Sequence, residues 1–291
     1  MKIAFFGDVH GRVLHALGAA VVLQQRRGIR LDAMIQVGDL GSFPSPERLD
    51  DATRRFIAGN PAEGDFFRLL DPSPQLAEGV QSALKHVPPF QYVSGNHEDH
   101  EWLAALHQSS AAVTPVDPLG AYRHVACGNI IEVAGQRTAF LGLIESDEMD
   151  YDPTAYAEFL AAEPGSVDIL ITHDGPHGLS EYRGVTQGSP KLSRLIDHLQ
   201  PRLHVGGHYH HQNGLRRYGP TVSYALADLV GAKTNRRTAE PINPRQQIKP
   251  GSIGILDTET YAFEYVHDSW LADVNGDDLD LAALVAGVAA D

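Results

Sequence analysis

Five short apolar runs constrain this 291-residue chain most strongly, because each is followed within three residues by Asp, Asn or His beside a small residue. The runs cover residues 2–6, 33–37, 90–93, 167–171 and 202–205. Short runs rich in β-branched and aromatic residues and bounded by turn residues predict buried strands. Helical periodicity is found over residues 12–27, 99–107, 154–162 and 191–199. Strands that alternate with helices predict βαβ units and a largely parallel sheet.

Further stretches have the composition of strands but little helix between them: 122–127, 129–134, 137–144, 221–226, 252–256 and 261–266. Strands joined without crossover helices pair readily with an antiparallel neighbour, so we expect these to form a second, antiparallel sheet.

Two segments interrupt the pattern of strands and helices. Residues 43–89 contain seven prolines and short helical patterns, which predicts an inserted, cap-like helical segment. Residues 227–250 form a polar loop punctuated by proline.

The charge balance limits the partners that the chain can bind. Its 37 acidic and 23 basic residues give a net charge of −14, which argues against extended nucleic acid and against an anionic membrane surface. The densest basic group lies in residues 227–250 and consists of Lys233, Arg236, Arg237, Arg245 and Lys249. Residues 267–291 form an acidic C-terminal tail, which we expect to be a frayed surface segment.

The cellular compartment is predicted from the length of the apolar runs, from the first residues and from the cysteine content. No apolar run reaches the roughly 18 residues of a transmembrane helix. Gly7 and Asp8 interrupt the first apolar run too early for a signal peptide. The single cysteine, Cys127, excludes an intramolecular disulfide. These features predict a cytoplasmic protein and leave its oligomeric state open.

Metal-ligand side chains lie at the edge of the predicted sheet where ligands of open α/β folds bind, beyond the carboxyl ends of the strands. The seven groups are Asp8, His10, Asp39, Asn96, His173, His208 and His210. Carboxylate and imidazole suit Mn, Fe, Zn or Ni, and the lack of thiolate argues against a structural zinc site. Seven groups exceed the needs of one catalytic ion that keeps an open position. They fit two divalent ions roughly 3.5–4 Å apart that share one carboxylate.

The five ligand blocks, in their order along the chain, resemble the calcineurin-like metallophosphoesterase superfamily. The blocks are Gly7-Asp8-Val9-His10-Gly11, Gly38-Asp39, Gly95-Asn96-His97-Glu98, His173 and Gly207-His208-Tyr209-His210. The resemblance implies an α/β fold in which a two-sheet β-sandwich is flanked by helices. It implies one catalytic domain over residues 1–266, with 43–89 inserted and 227–250 as a basic loop.

The resemblance also implies how the ligands are divided. One ion is expected on Asp8, His10, Asp39 and His210. The other is expected on Asp39, Asn96, His173 and His208, with Asp39 as the bridge. His97 is expected beside the phosphate as a proton donor or as a stabiliser of charge. Neighbouring cations lower the pKa of a histidine, so we expect a carboxylate to hold His97 protonated; the candidates are Asp8, Glu98 and Asp174.

Substrate contacts are expected from residues in the same loops: Arg12, His177, Tyr209 and His211. The predicted function is a dinuclear metal-dependent phosphoesterase that hydrolyses a phosphodiester by attack of metal-activated hydroxide. The substrate is expected to be a phosphate ester, with a nucleotide as one candidate. The alternatives are a phosphomonoesterase of the same fold, a nuclease that uses residues 227–250 as its basic track, and a non-enzymatic protein-binding scaffold. The scaffold is the weakest of these, because no ligand position is lost.

Overall fold

The computed structural model of the chain describes residues 1–107, 111–235, 238 and 240–290. Its strands are β1 (Lys2–Phe6), β2 (Ala33–Gln36), β3 (Phe90–Tyr92), β4 (Val113–Pro115), β5 (Tyr122–Val125), β6 (Ile130–Val133), β7 (Gln136–Leu141), β8 (Ile169–Thr172), β9 (Ser180–Tyr182), β10 (Val185–Gln187), β11 (Leu203–Gly206), β12 (Arg216–Tyr218), β13 (Thr221–Ala225), β14 (Ile253–Asp257) and β15 (Ala262–Tyr265). Its helices are α1 (Val13–Arg27), α2 (Asp51–Ile57), α3 (Asp65–Leu70), α4 (Pro74–Leu84), α5 (His100–Leu106), α6 (Pro153–Ala161), α7 (Pro190–Leu199) and α8 (Leu281–Ala290). None of these helices combines the length and the apolar character needed to cross a membrane.

Two mixed sheets face each other, which confirms the predicted sandwich. The first has the strand order β15-β14-β1-β2-β3-β5-β4 and the second has the order β12-β13-β11-β8-β7-β6. Strands β1, β2, β3 and β5 run parallel, as do β7, β8, β11 and β13, and the antiparallel pairs lie toward the edges. The parallel strands of each sheet therefore deliver their carboxyl ends to one edge of the sandwich.

The expectation of a separate antiparallel sheet was wrong. Strand β5 pairs parallel with β3 in the first sheet, and β13 pairs parallel with β11 in the second. Strands β14 and β15 extend the first sheet beyond β1. The ligand-bearing strands are accordingly divided, three in the first sheet and two in the second. An apolar pattern predicts that a strand is buried, but it carries no information about which distant strand will be its partner.

Side chains that point alternately to the two faces of each strand form three apolar layers. In β1, Ile3 and Phe5 face the space between the sheets, whereas Ala4 and Phe6 face α1. The outer face of the second sheet packs against α6 and α7. Helix α1 ends at Gly28, whose left-handed conformation (φ 58°) lets its N–H bond the carbonyl groups of Gln24 and Gln25.

The C-terminal segment is not the frayed tail that its acidity predicts. Helix α8 packs against α1 and α4, and a 3₁₀ turn, Ser269–Asp273, precedes it. Buried apolar side chains hold the segment, namely Trp270, Leu271, Val274, Leu279, Leu281 and Val285. Arg27 at the end of α1 binds both carboxylate oxygens of Asp268, at 2.7 and 2.9 Å. The acidic residues lie between these apolar positions, so the acidity of the segment does not predict that it packs against the domain.

A buried histidine links three neighbouring strands of the second sheet. His204 Nε2 lies 2.7 Å from Thr172 Oγ1, and His204 Nδ1 lies 2.6 Å from Ser223 Oγ. Burial lowers the pKa of His204 to about 3. The unfolded chain has an ordinary histidine pKa near 6.5 and therefore binds one more proton than the folded chain between these two values.

We therefore expect the free energy of unfolding of the metal-free protein to fall as the pH drops below about 6.5. One such group contributes a slope of about 1.4 kcal/mol per pH unit. The variant His204→Asn keeps polar atoms at the position but does not titrate, so its slope between pH 6 and pH 4 should be smaller by about that amount. Urea unfolding at several pH values measures the slope, and exposed His86→Asn is the control. Equal slopes in wild type and His204→Asn would contradict the assignment.

Candidate metal centre

The first two ligand loops are built as one unit at the carboxyl ends of β1 and β2. The backbone N–H groups of Val9 and His10 both donate to the carbonyl of Asp39, at 3.0 and 2.8 Å. Gly11 N–H donates to the carbonyl of Leu40 at 2.7 Å. Because β1 and β2 are parallel neighbours, these bonds fix the carboxylates of Asp8 and Asp39 at one sheet edge.

Four of the expected ligands have a left-handed backbone, which is rare for residues other than glycine. The φ angles are 47° for His10, 55° for Asp39, 67° for His208 and 58° for His210. Each such residue costs on the order of 1–3 kcal/mol, and strain of this kind is typical of functional sites. The turns that hold the ligands are therefore maintained by their surroundings rather than by local preference.

The first cluster brings together Asp8, His10, Asp39 and His210. One ligand atom from each lies within 4.8 Å of all the others. His210 Nε2 lies 3.1 Å from Asp8 Oδ2 and 3.1 Å from His10 Nε2. Two carboxylates and two imidazoles that converge at this spacing could hold a divalent transition-metal ion.

The remaining ligands meet the first cluster at Asp39. His173 Nε2 lies 3.3 Å from Asp39 Oδ2 and 3.1 Å from Asn96 Oδ1. His173 Nδ1 lies 3.1 Å from the carbonyl of Val37, so it donates there and Nε2 faces the centre. The ring of His208 packs against that of His173 at a centroid distance of 5.2 Å. The structure thus gathers all seven expected ligands at one edge, with the Asp39 carboxylate between the two groups.

Two glycines allow the backbone to pass against the two buried carboxylates of the candidate metal centre. A Cβ atom on Gly95 would lie 2.1 Å from Asp39 Oδ1, and one on Gly207 would lie 2.2 Å from Asp8 Oδ1. Neither carboxylate can move aside without leaving the centre. The glycine in each sequence block therefore provides space for a carboxylate.

Charge compensation keeps the buried carboxylates ionised. Burial alone would raise the pKa of Asp39, but the positive charge and hydrogen bond of His173 hold it well below its ordinary value. Burial likewise opposes ionisation of Asp8, and the hydrogen bond from His210 with the charge of His173 lowers its pKa. His10 is different, since burial lowers its pKa to about 4 and keeps the ring neutral, the form that binds metals.

The expected proton donor, His97, is held by a carboxylate that the sequence analysis missed. Its Nδ1 lies 2.7 Å from Asp50 Oδ2, and its backbone N–H donates to Asp39 Oδ1 at 2.7 Å. Burial alone would lower the pKa of His97, yet the hydrogen bond to Asp50 and the charge of Asp39 raise it to about 9. Asp50 also caps α2, accepting the N–H of Thr53 at 2.6 Å. Its sequence signal is that of a helix cap and reveals nothing about His97.

None of the three carboxylates nominated from the sequence holds the His97 ring. Glu98 accepts the backbone N–H groups of Leu40 and Ser42, both at 2.7 Å, and so braces the second ligand loop. Asp174 accepts the hydroxyl groups of Tyr151 and Tyr209. Asp8 is engaged by His210, as described above. The expectation was based on residues close to the ligand blocks in the sequence. The carboxylate that contacts the His97 ring, Asp50, comes instead from the segment 43–89.

A cavity of about 300 Å³ opens beside His10, His97 and His210. One wall comes from the segment 43–89 and the other from the loop after β13; these residues are Ala52, Thr53, Phe56, Asn60, Glu63, Asp228, Val230, Gly231 and Ala232. The cavity combines apolar and polar surface next to the expected ligands of the first ion. It could receive the organic part of a substrate.

The four expected substrate contacts have different positions. Arg12 is buried and lines the cavity, where its guanidinium donates to Gln246 and lies 3.8 Å from Glu63. Tyr209 donates to Asp174 and packs on the ring of His208, and His211 Nδ1 lies 2.6 Å from the Tyr209 carbonyl. These two therefore stabilise the last ligand loop. His177 is exposed and does not line the cavity.

Two bases of the 227–250 loop are used in ion pairs. Lys233 Nζ lies 2.7 Å from Asp277, and Lys249 Nζ lies 2.6 Å from Asp228 and 2.6 Å from the carbonyl of His210. The described part of the loop thus returns to the candidate metal centre, as its position after β13 allows. Arg236 and Arg237 lie outside the described residues.

Comparison with known proteins identifies the family to which the chain is similar. The model of the calcineurin-like phosphoesterase family matches residues 1–212. The UPF0046 protein K07C11.7 of Caenorhabditis elegans is 35% identical over 87 residues, which are 30% of this chain and 29% of that protein. The chain thus matches less than a third of this curated relative. Among solved structures, TT1561 of Thermus thermophilus has 18% identity and a TM-score of 0.50, over 91% of this chain and 97% of that one.

The contact between Gly95 and Asp39 yields a test. Gly95→Ala places a methyl group against Asp39 Oδ1, and we expect the bound-metal content measured by elemental analysis to fall severalfold. Gly59→Ala is the matched control, because the nearest atom to its Cβ is 3.8 Å away. Circular dichroism checks that both variants fold. Full metal content in Gly95→Ala would show that the Asp39 carboxylate does not depend on this close approach.

Proposed function

This chain belongs to the calcineurin-like phosphoesterase family, and on that premise we propose that it hydrolyses a phosphodiester at a centre of two divalent ions. The observation that carries the proposal is the convergence of seven ligand groups on the Asp39 carboxylate. Two divalent ions in such a donor set neutralise the phosphate and lower the pKa of water near to neutrality. The ions remain a prediction among Mn, Fe, Zn and Ni, and cytoplasmic location remains a prediction from the sequence.

Asp39 is proposed as the shared ligand. Its Oδ2 lies beside His173 of the second group, and the carboxylate also belongs to the compact cluster formed by Asp8, His10 and His210. Within the described part of the chain, Lys249 beside the site is already paired with Asp228, so the ions themselves would supply the positive charge that draws an anionic ester. Arg12 is close to the site, but its charge is offset by Glu63.

His97 is proposed as the general acid that protonates the leaving alkoxide. Its backbone is fixed on Asp39, and the bond from Nδ1 to Asp50 leaves Nε2 as the nitrogen that can reach substrate. The ring lies beside that of His10, at a centroid distance of 5.6 Å, and lines the cavity. Asp50 acts as a positioning residue, since it sets the orientation of the ring and stabilises the protonated form.

A diester is favoured over a monoester because a second space opens next to the loop that carries Asn96, in addition to the cavity beside His97. The 300 Å³ cavity lies beside His97. A wider, largely apolar cleft of about 560 Å³ is bounded by Ser94 and His100, which flank Asn96 along the chain. A diester carries two organic groups and can use both spaces, whereas a monoester carries one.

The two-ion centre makes a prediction about metal content. We expect close to two ions per chain in the wild type, neither retained in Asp39→Ala, and about one retained in His208→Ala. The reason is that only Asp39 belongs to both ligand groups. Elemental analysis after dialysis gives the count, and Asp50→Asn, which changes no ligand, is the control. A fully active wild type with a single ion would overturn the two-ion centre.

The role of His97 makes a prediction about leaving groups. General-acid catalysis is typically worth about 10²–10⁴-fold, and nitrophenolate needs little protonation. We expect His97→Ala to lower kcat by about that factor on alkyl or nucleoside diesters and far less on nitrophenyl diesters. Asp50→Asn keeps the helix cap, because Asn is also a good capping residue, and should show a smaller loss with the same dependence on leaving group.

The same measurements test the proposed reaction. For a common nitrophenyl leaving group, kcat/KM should be higher on the diester than on the monoester. Equal losses on both leaving groups in His97→Ala would instead assign that residue to charge stabilisation. A higher kcat/KM on the monoester would favour the phosphomonoesterase.

A further inference from the structure

A further cavity lies at the end of the sandwich away from the expected metal ligands. Strands β12 and β13 of the second sheet and β15 of the first form a cleft of about 300 Å³ there. Its principal groups are Arg202, Arg217, Tyr224, Tyr261 and Phe263. Arg202 precedes β11, whose opposite end leads to His208, so the length of that strand separates the cleft from the metal centre.

One arginine of the cleft is held flat on an aromatic ring. The Cζ atom of Arg202 lies 3.4 Å from the centroid of the Tyr261 ring. The Tyr261 hydroxyl donates to the Asp168 carbonyl at 3.3 Å, which fixes the ring. A guanidinium that stacks on an aromatic ring keeps its N–H groups in its own plane. These groups point away from the stack and remain able to donate hydrogen bonds. Arg202 is therefore oriented by the protein and still able to donate hydrogen bonds.

Within the described part of the chain, neither Arg202 nor Arg217 forms an ion pair. The carboxylate that influences Arg202 is that of Asp168, which is already bonded to the side chain of Arg137 at 3.2 Å and to its backbone N–H at 2.8 Å. The two arginines therefore make this cleft positively charged in a chain of net charge −14.

Aromatic rings supply the apolar part of the cleft. Tyr224 and Phe263 stack at a centroid distance of 4.0 Å with an angle of 16° between their planes. They come from different sheets, and both are only partly buried. A rigid aromatic wall next to two arginines matches a ligand that carries a flat ring and a phosphate.

We propose that this cleft binds a nucleoside monophosphate, with its phosphate on Arg202 and Arg217 and its base against the aromatic wall. The volume lies at the lower end for small-molecule sites, so it suits one nucleotide rather than a longer strand. The site is separate from the metal centre and does not depend on the proposed reaction. The competing explanation is that the arginines only cover the aromatic end of the sandwich core.

Calorimetric titration of the full chain with AMP tests the proposal. The titration is made in wild type and in Asp39→Ala, because disabling the metal centre excludes AMP that binds there as substrate or product. We expect one AMP per chain with similar affinity in both proteins. Arg217→Gln in the Asp39→Ala background should weaken AMP about tenfold or more, since a charge-assisted contact is lost. Arg216→Gln is the matched control, because Arg216 is the neighbour on β12 and does not line the cleft.

Each alternative has its own result. Binding that disappears in Asp39→Ala would place AMP at the metal centre and overturn the proposal, as would equal losses in Arg216→Gln and Arg217→Gln. Absence of saturable binding at millimolar AMP would leave the arginines with a covering role only. Sedimentation that shows a dimer lost in Arg217→Gln, without AMP binding, would assign the cleft to contact between copies. Arg202→Gln is the second variant, and it should weaken AMP like Arg217→Gln if both hold the phosphate.

Discussion

The candidate metal centre depends on the interactions of one buried carboxylate, that of Asp39. It lies at the end of a strand of the first sheet, yet it contacts His173, which follows a strand of the second. The same group accepts the N–H of His97. An isolated buried carboxylate is strongly unfavourable, so Asp39 is tolerated only because both sheets supply partners to it. The sandwich edge is therefore joined through the functional site as well as through the apolar core.

Local signals explain why the side chains that meet at the candidate metal centre could be singled out from the sequence. An apolar run followed by glycine and by Asp, Asn or His indicates where a strand ends and which side chain can bind a metal there. This inference uses only residues that are close together in the sequence. Strand partners, in contrast, depend on long-range packing, so the division of the strands between two sheets was not predicted. Acidity concealed helix α8 because its charged residues lie between apolar positions that are buried only when α1 and α4 are present.

Asp50 illustrates the same limit at the level of a single residue. It lies 47 residues before His97 and belongs to the segment 43–89, whose place beside the site is set by packing rather than by a motif. Its local pattern predicts a helix cap, which is correct, and says nothing of its second partner. One carboxylate oxygen starts α2 and the other orients His97, so the position of the helix and that of the histidine are linked.

The left-handed ligands show how the fold and the site constrain each other. Four strained residues at about 1–3 kcal/mol each would amount to a large part of the stability of an ordinary domain. They persist because the first two loops bond to each other, because Glu98 braces the second, and because Tyr209 and His211 fix the last. Residues outside the seven expected metal ligands therefore help to determine the ligand geometry. It follows that substitutions at these bracing residues should act on metal binding and stability together, whereas Asp50→Asn, which keeps the cap of α2, can alter catalysis alone.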